Sequence, residues 1–256
     1  MAISTYSSTT QGIGPGGIRP DSWQRPLKFW EITPDQWRRF VAVHTTAPFA
    51  LTNSVVPEMM RQGWGRIVNV TTSLGTMLNA GNPTYGPSKA ALEALSAIMA
   101  KDLDGTGVTV NVLVPGGVTN TPMISDEAGF DRNKLIQPEV MVPPLLWLVS
   151  EAAAKVTGRR FLGVHWDGAL SPEQAAEKAG APVAWTSIAT MPITPSRSQQ
   201  SHYFPIPGSE RPPHRTGRTT GNEYPISTIS RPISRCDFVA GGLSRYRACG
   251  DRRPRY

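Results

Sequence analysis

Gly107-Val108-Thr109-Val110-Asn111-Val112-Leu113-Val114-Pro115-Gly116-Gly117 is the stretch that decides the fold. Its run from Val108 to Val114 is nearly continuous in apolar and β-branched residues. That pattern suits a parallel strand covered on both faces. The run breaks at Pro-Gly-Gly. Upstream, Gly65-Arg66-Ile67-Val68-Asn69-Val70-Thr71-Thr72-Ser73-Leu74-Gly75 has the same character. Its core, Ile67 to Val70, is short and rich in β-branched residues, is bounded by glycine, and leads into a hydroxyl cluster. Between the two strands, Ala90 to Leu103 places Leu92, Leu95, Ile98, Met99 and Leu103 at helical spacing, and Gly105 and Gly107 end the helix. Strand, loop, helix, strand is the unit of a parallel α/β sheet. Ligands bind such sheets outside the carboxyl ends of the strands. Thr72, Tyr85 and the Pro115-Gly116-Gly117 turn are expected to meet at that edge.

Tyr85-Gly86-Pro87-Ser88-Lys89 stands where the helix is expected to begin. Residues i and i+4 share a helical face. A lysine beside a phenol favours the phenolate, because an opposite charge favours the charged form of its neighbour. A tyrosine, otherwise protonated to about pH 10, could then serve as an acid/base near neutrality. By itself the pair also fits a solvated helix face. One loop separates it from Thr72, which brings a second hydroxyl to the same place.

Taken in order, these motifs resemble those of a short-chain dehydrogenase/reductase. Tyr85 to Lys89 fits the Tyr-x-x-x-Lys signature, and Ile67 to Gly75 fits the strand that carries the active-site hydroxyl. Pro115 to Met123 fits the nicotinamide-side loop, and Phe161-Leu162-Gly163-Val164-His165-Trp166-Asp167-Gly168 fits the last strand. The likeness runs from about Gly12 to about residue 190. It implies an NAD(P)-dependent oxidoreductase that interconverts an alcohol and a carbonyl, with NAD and NADP left undistinguished. Tyr85 would be the acid/base. Lys89 would lower its pKa and bind the nicotinamide ribose, and Thr72 would stand in for the family's serine. The cofactor-binding residues implied are Tyr85, Lys89, Pro115, Gly116, Val118 and Thr121. A homodimer or tetramer is implied as well.

Two departures are visible. The helix before the hydroxyl-bearing strand is read over Pro34 to Arg61, with Thr33-Pro34-Asp35 as its cap. On it, His44 falls where the family has a catalytic asparagine. Histidine can join a proton relay, or it can be a hydrogen-bonded packing residue. The second departure is that the family's first half has no counterpart here. Gly12-Ile13-Gly14-Pro15-Gly16-Gly17 matches G-x-G-x-x-G, but Ser4 to Gln11 before it is polar and not strand-like. The match is therefore read as a loop and not as a phosphate cradle. The fold expected is α/β, a partial Rossmann-like doubly wound parallel sheet. Its strands are read at 67–71, 108–114 and 161–166, the first with an exposed edge, and a further helix is read over Pro138 to Val156.

Charge divides the chain unevenly. The whole chain has 26 Lys+Arg against 19 Asp+Glu, a net charge of +7. That excess lies entirely in residues 191–256, which hold 11 arginines, no lysine and 4 acidic residues. The expected organisation is a disordered N-terminus (1–11), a truncated dehydrogenase domain (12–190) and a basic, Pro/Ser/Arg-rich, largely disordered tail (191–256). Scattered arginines with few aromatics and no nucleic-acid motif favour a solvated tail over a nucleic-acid binder. Cys236 and Cys249, both in the tail, form no framework. No secretory signal and no apolar run of membrane-spanning length is evident, so a cytoplasmic protein acting on a small molecule is expected. Asn69-Val70-Thr71 matches a glycosylation acceptor but falls in a strand read as buried. The alternative to an active enzyme is a truncated, inactive relative or a fragment lacking the cofactor-binding half.

Overall fold

The computed structural model describes residues 6–9, by their backbone alone, and residues 12–185. The expectations for the tail, residues 191–256, and for residues 1–5 and 10–11 lie outside the described residues.

The two deciding stretches form the centre of one sheet. Strand β2 (Gly65–Val70) and strand β3 (Val108–Val114) pair in parallel from Gly65↔Val108 to Val70↔Leu113. Every residue of β3 is buried, as its continuous apolar run requires. Alternation sends neighbouring side chains to opposite faces. On one face Ile67 and Val110 pack with Met59, Ala100 and Leu103. These come from helix α2 (Ala47–Gln62) and from helix α4 (Tyr85–Asp102) and its cap. On the other face Val68 and Leu113 pack with Trp147 and Leu148 of helix α5 (Val142–Leu148) and Ala176 of helix α6 (Pro172–Ala179). A sheet covered on both faces by helices is the α/β architecture anticipated.

Two edges differ from the sequence reading. Tyr6–Thr9 forms strand β1, parallel to β2 in the register Tyr6↔Arg66 to Thr9↔Asn69. The expectation of a disordered 1–11 segment, and of an exposed edge on β2, is corrected there. Polarity misled that reading. Tyr and Thr are favoured in strands, and pairing with β2 satisfies a row of backbone groups that an open edge leaves unpaired. On the other side, strand β4 (Arg159–Leu162) is parallel to β3 and stops earlier than the reading to Trp166, with Gly163–His165 in a 3₁₀ turn. Strand β5 (Gly180–Pro182) then adds antiparallel to β4, giving the order β1-β2-β3-β4-β5.

The first long helix is also divided. Thr33 caps helix α1 (Pro34–Val41) through a reciprocal pair with Gln36. A π-helical turn then spans Ala42–Thr46 before α2 begins. Pro48 gives the physical reason. It has no N–H to offer the His44 carbonyl four residues back, and its ring crowds that carbonyl. The Ala47 N–H bonds instead to the Ala42 carbonyl. Prolines also shorten the helix read over Pro138 to Val156. Pro138 opens a 3₁₀ turn, and Pro143 and Pro144 occupy the first turn of α5, where the missing donors are tolerated.

A buried carboxylate ties these layers together. Glu93 of α4 is fully buried. Its Oε1 accepts from Arg160 Nε of β4 at 3.0 Å and from the Ala184 N–H at 3.1 Å. Its Oε2 accepts from the Thr71 hydroxyl at 2.7 Å, and Arg160 Nη2 reaches the Thr72 carbonyl at 3.1 Å. Removing one partner of a buried ion pair strands the other charge, at about 3–5 kcal/mol. Arg160→Met is expected to destabilise the fold by about that much in urea unfolding, and adding Glu93→Leu to recover part of the loss. A midpoint unchanged by Arg160→Met would show that the pair does not hold the sheet to α4.

Candidate functional site

The ends of β2 and β3 open into a cavity of about 390 Å³. Helix α4 starts at its rim, and Tyr85 is the first helical residue. Close packing fixes that start. At Gly86 a Cβ would lie 2.4 Å from the Met77 carbonyl of helix α3 (Leu74–Leu78), so only glycine lets the two helices approach this closely. Thr72, Tyr85, Lys89, Pro115, Val118 and Thr121 all line the cavity. Gly116 and His44 are not among its lining residues, whereas Gly117 is.

Lys89 lies on the same face of α4 as Tyr85, as the spacing predicts. It is buried, and its ammonium donates to the Val70 carbonyl at 2.8 Å and sits 6.0 Å from the Tyr85 ring centroid. No carboxylate among the described residues pairs with it. Burial lowers its pKa to about 8. Burial also raises the pKa of the Tyr85 phenol, opposed by a hydrogen bond with the Thr72 side chain. The lysine charge, expected from the spacing to dominate at Tyr85, is outweighed by desolvation, and both groups are pushed toward their neutral forms.

His44, carried on the π-helical turn, is fully buried. Its Nε2 accepts from the Ile13 N–H at 3.0 Å. The ring proton is therefore on Nδ1, which donates to Ser88 Oγ at 3.0 Å. Ser88 Oγ in turn donates to the Tyr85 carbonyl at 2.9 Å. The imidazole thus joins the segment at Ile13 to the first turn of α4, and its ring meets that of Tyr85 edge-on at 5.3 Å. Burial, then the Lys89 charge, lowers its pKa to about 3. Of the two readings of His44, the geometry has the bonding of the packing residue. A relay through the ring would have to break one of these bonds.

The glycine-rich segment differs in part from its sequence reading. It does follow a strand, β1, but it opens only the 3₁₀ turn Pro15–Gly17 and no α-helix. Other wall residues carry no signal in the sequence. Trp23, Thr76, Asn82, Ile124 and Met141 line the cavity from loops and short helices, where no periodicity marks them, and Met123 joins them from the end of the Pro115 to Met123 loop.

Comparison with known proteins agrees with this fold. Residues 15–129 match the short chain dehydrogenase family. The chain is 32% identical over 165 residues to the 2,5-dichloro-2,5-cyclohexadiene-1,4-diol dehydrogenase LinX of Sphingobium indicum, covering 61% of each protein. It is 32% identical over 166 residues to the 3-oxoacyl-[acyl-carrier-protein] reductase FabG of Vibrio cholerae, covering 62% of this chain and 65% of that protein. Among solved structures it superposes with a TM-score of 0.52 and 27% identity on a proposed NAD(P) dependent gluconate 5-dehydrogenase from Beutenbergia cavernae with bound NADP. That superposition covers 61% of this chain and 63% of the other. The chain is thus similar to short-chain dehydrogenases over residues 15–129, and it spans under two thirds of the length of these curated relatives.

The His44 geometry makes a pH prediction. Its folded pKa, about 3, lies below the ordinary value of 6.5. The unfolded chain therefore binds the extra proton between those values, and stability falls as pH drops through that window. His44→Gln, which cannot titrate, is expected to flatten the difference in melting temperature between pH 6.5 and pH 4 relative to the parent. Parallel curves for the two proteins would place the buried, neutral ring in error.

Proposed function

We propose that the protein is an NAD(P)-dependent oxidoreductase that interconverts a small-molecule alcohol and its carbonyl, with Tyr85 as the proton donor and acceptor. The observation that carries this reading is the convergence of the Tyr85 phenol, the Thr72 hydroxyl and the Lys89 ammonium in one cavity at the strand ends. The residues present fit the nicotinamide-ribose end of such a cofactor. An ammonium has three donors; the Val70 carbonyl takes one, leaving capacity for ribose hydroxyls. The Gly117 backbone lines the cavity without a side chain, beside Val118 and Thr121. When bound, the nicotinamide ring supplies or takes the hydride.

The protein's own residues account for the proton. In reduction, the substrate carbonyl oxygen lies between the Thr72 and Tyr85 hydroxyls, and both donate to it as negative charge grows. Tyr85 then gives up its proton to form the alcohol. Its raised pKa keeps it protonated, the form reduction needs, until the substrate oxygen draws the proton away. The Lys89 charge, present below about pH 8, favours the phenolate left behind. His44, through Ser88, holds the first turn of α4 in place for this transfer. Exposed Phe49 and Leu51 on α2 and Ile98 on α4 suit assembly with further copies of the chain.

A second reading, a relative deficient in cofactor binding, draws on the glycine-rich segment that opens only a 3₁₀ turn. Titration with NADH and NADPH separates the two, since saturable binding at micromolar concentration favours the enzyme. The nucleic-acid reading rests on tail residues outside the described ones. Tyr85→Phe removes the transferable proton and keeps the ring. It is expected to lower turnover by about 100-fold or more while leaving cofactor affinity within about twofold. Full activity in this variant would remove Tyr85 from the chemistry.

A further inference from the structure

The outer wall of the cavity comes from two segments far apart in sequence. Trp23 belongs to the stretch between the glycine-rich segment and α1, and it lines the cavity. Phe130 belongs to the stretch between β3 and α5. The two rings meet edge-to-face, with centroids 4.9 Å apart at 89°. Gln24 adds a side-chain bond to the Glu127 carbonyl beside this contact. Such aromatic pairs contribute about 0.5–1.5 kcal/mol beyond their area, and each ring fixes the orientation of the other. Met123, Ile124 and Met141 continue the wall inward. Thr76 and Asn82 add neutral polar groups.

Charge is nearly absent from this lining. Lys89 is the sole charged side chain among the described residues that line the cavity, and it lies at the deep end beside Tyr85. Arg132, on the same stretch as Phe130, is already engaged by Asp126, the Asn120 side chain and the Ile124 carbonyl. A carboxylate or phosphate on the substrate body would lose its hydration against Trp, Met and Ile with no counter-charge, which is strongly unfavourable. A flat apolar ring would instead stack on the indole and displace water.

We propose that Trp23, held by Phe130, is a specificity-determining residue and that the site takes an uncharged, ring-bearing alcohol or ketone. This rests on the alcohol/carbonyl reading of the site above and adds the class of substrate. Trp23 supplies the face on which the ring lies, and its contact with Phe130 keeps that face in position. The reacting oxygen points away from the indole, toward Tyr85 and Thr72.

Calorimetric titration of the full chain tests this without relying on turnover. The probes are 1-tetralone, which is neutral, and 3-oxo-3-phenylpropanoate, which is of similar size and anionic. Tetralone is expected to bind at least about tenfold more tightly than the anion. Trp23→Ala is expected to weaken tetralone by about tenfold and leave the anion unchanged, while Trp23→Phe keeps most of the affinity. Trp23 is partly exposed at 40%, so a melting temperature within a few degrees of the parent confirms a folded variant. Phe130→Ala offers the same readout should Trp23→Ala unfold, with a smaller loss of tetralone affinity. Equal binding of the two probes, no binding of tetralone, or Trp23→Ala with parental affinity would each overturn the proposal. Because the comparison reads binding alone, an active Tyr85→Phe variant would reject the proton-transfer assignment and leave this result standing.

Discussion

The fully buried carboxylate of Glu93 is the constraint on which the rest of the structure depends. It stands on α4, two turns below Tyr85, and no water reaches it. A charge in that position is tolerated only when it is paired and hydrogen-bonded. Three segments supply what it needs. Arg160 comes from β4, Thr71 from the end of β2, and the Ala184 N–H from the stretch after β5. The same guanidinium also holds the Thr72 carbonyl. One ionised group therefore fixes the depth of α4 against the sheet and the position of the residue that presents the second hydroxyl to the cavity. An apolar residue at position 93 could fill the volume, but it could not specify which backbone groups meet there.

Above this neutralised pair, the cavity follows the opposite rule. Lys89 is buried with a backbone carbonyl and no carboxylate, so its charge is only weakly held, as its pKa near 8 reflects. Burial first, and the Lys89 charge second, keep His44 neutral, its two nitrogens taken by Ile13 and Ser88. The site is thus built around one positive charge in an otherwise uncharged lining. Such a charge acts over short distances with little screening. The groups best placed to use it are the oxygen atoms that gather at Tyr85.

How much of this was legible in the sequence depends on where backbone periodicity carries the information. β3 could be read residue by residue because burial on both faces leaves a continuous β-branched run. The Tyr85–Lys89 pair could be placed because a helix has a fixed spacing. β1 was missed because its partner β2, and not its own polar composition, makes it a strand. The π-helical turn at His44 was missed although its cause, Pro48, was in plain view four residues on. The steric rule was present, but its outcome depends on how the rest of the helix is held. Glu93 and Arg160 were invisible for a related reason. They are 67 residues apart, and nothing local marks either as a partner of the other.

The wall at Trp23, braced from behind by Phe130, was the part hardest to read, and the reason is physical. Its residues sit on connecting segments, which carry no period and vary freely so long as their ends meet the scaffold. Phe130 gains meaning only once Trp23 is opposite it. β3 and the Tyr85–Lys89 spacing are specified by short-range patterns. The face offered to a substrate is set by contacts between loops more than a hundred residues apart. Change in those loops can redirect the choice of substrate while Glu93, Arg160 and the start of α4 remain where they are.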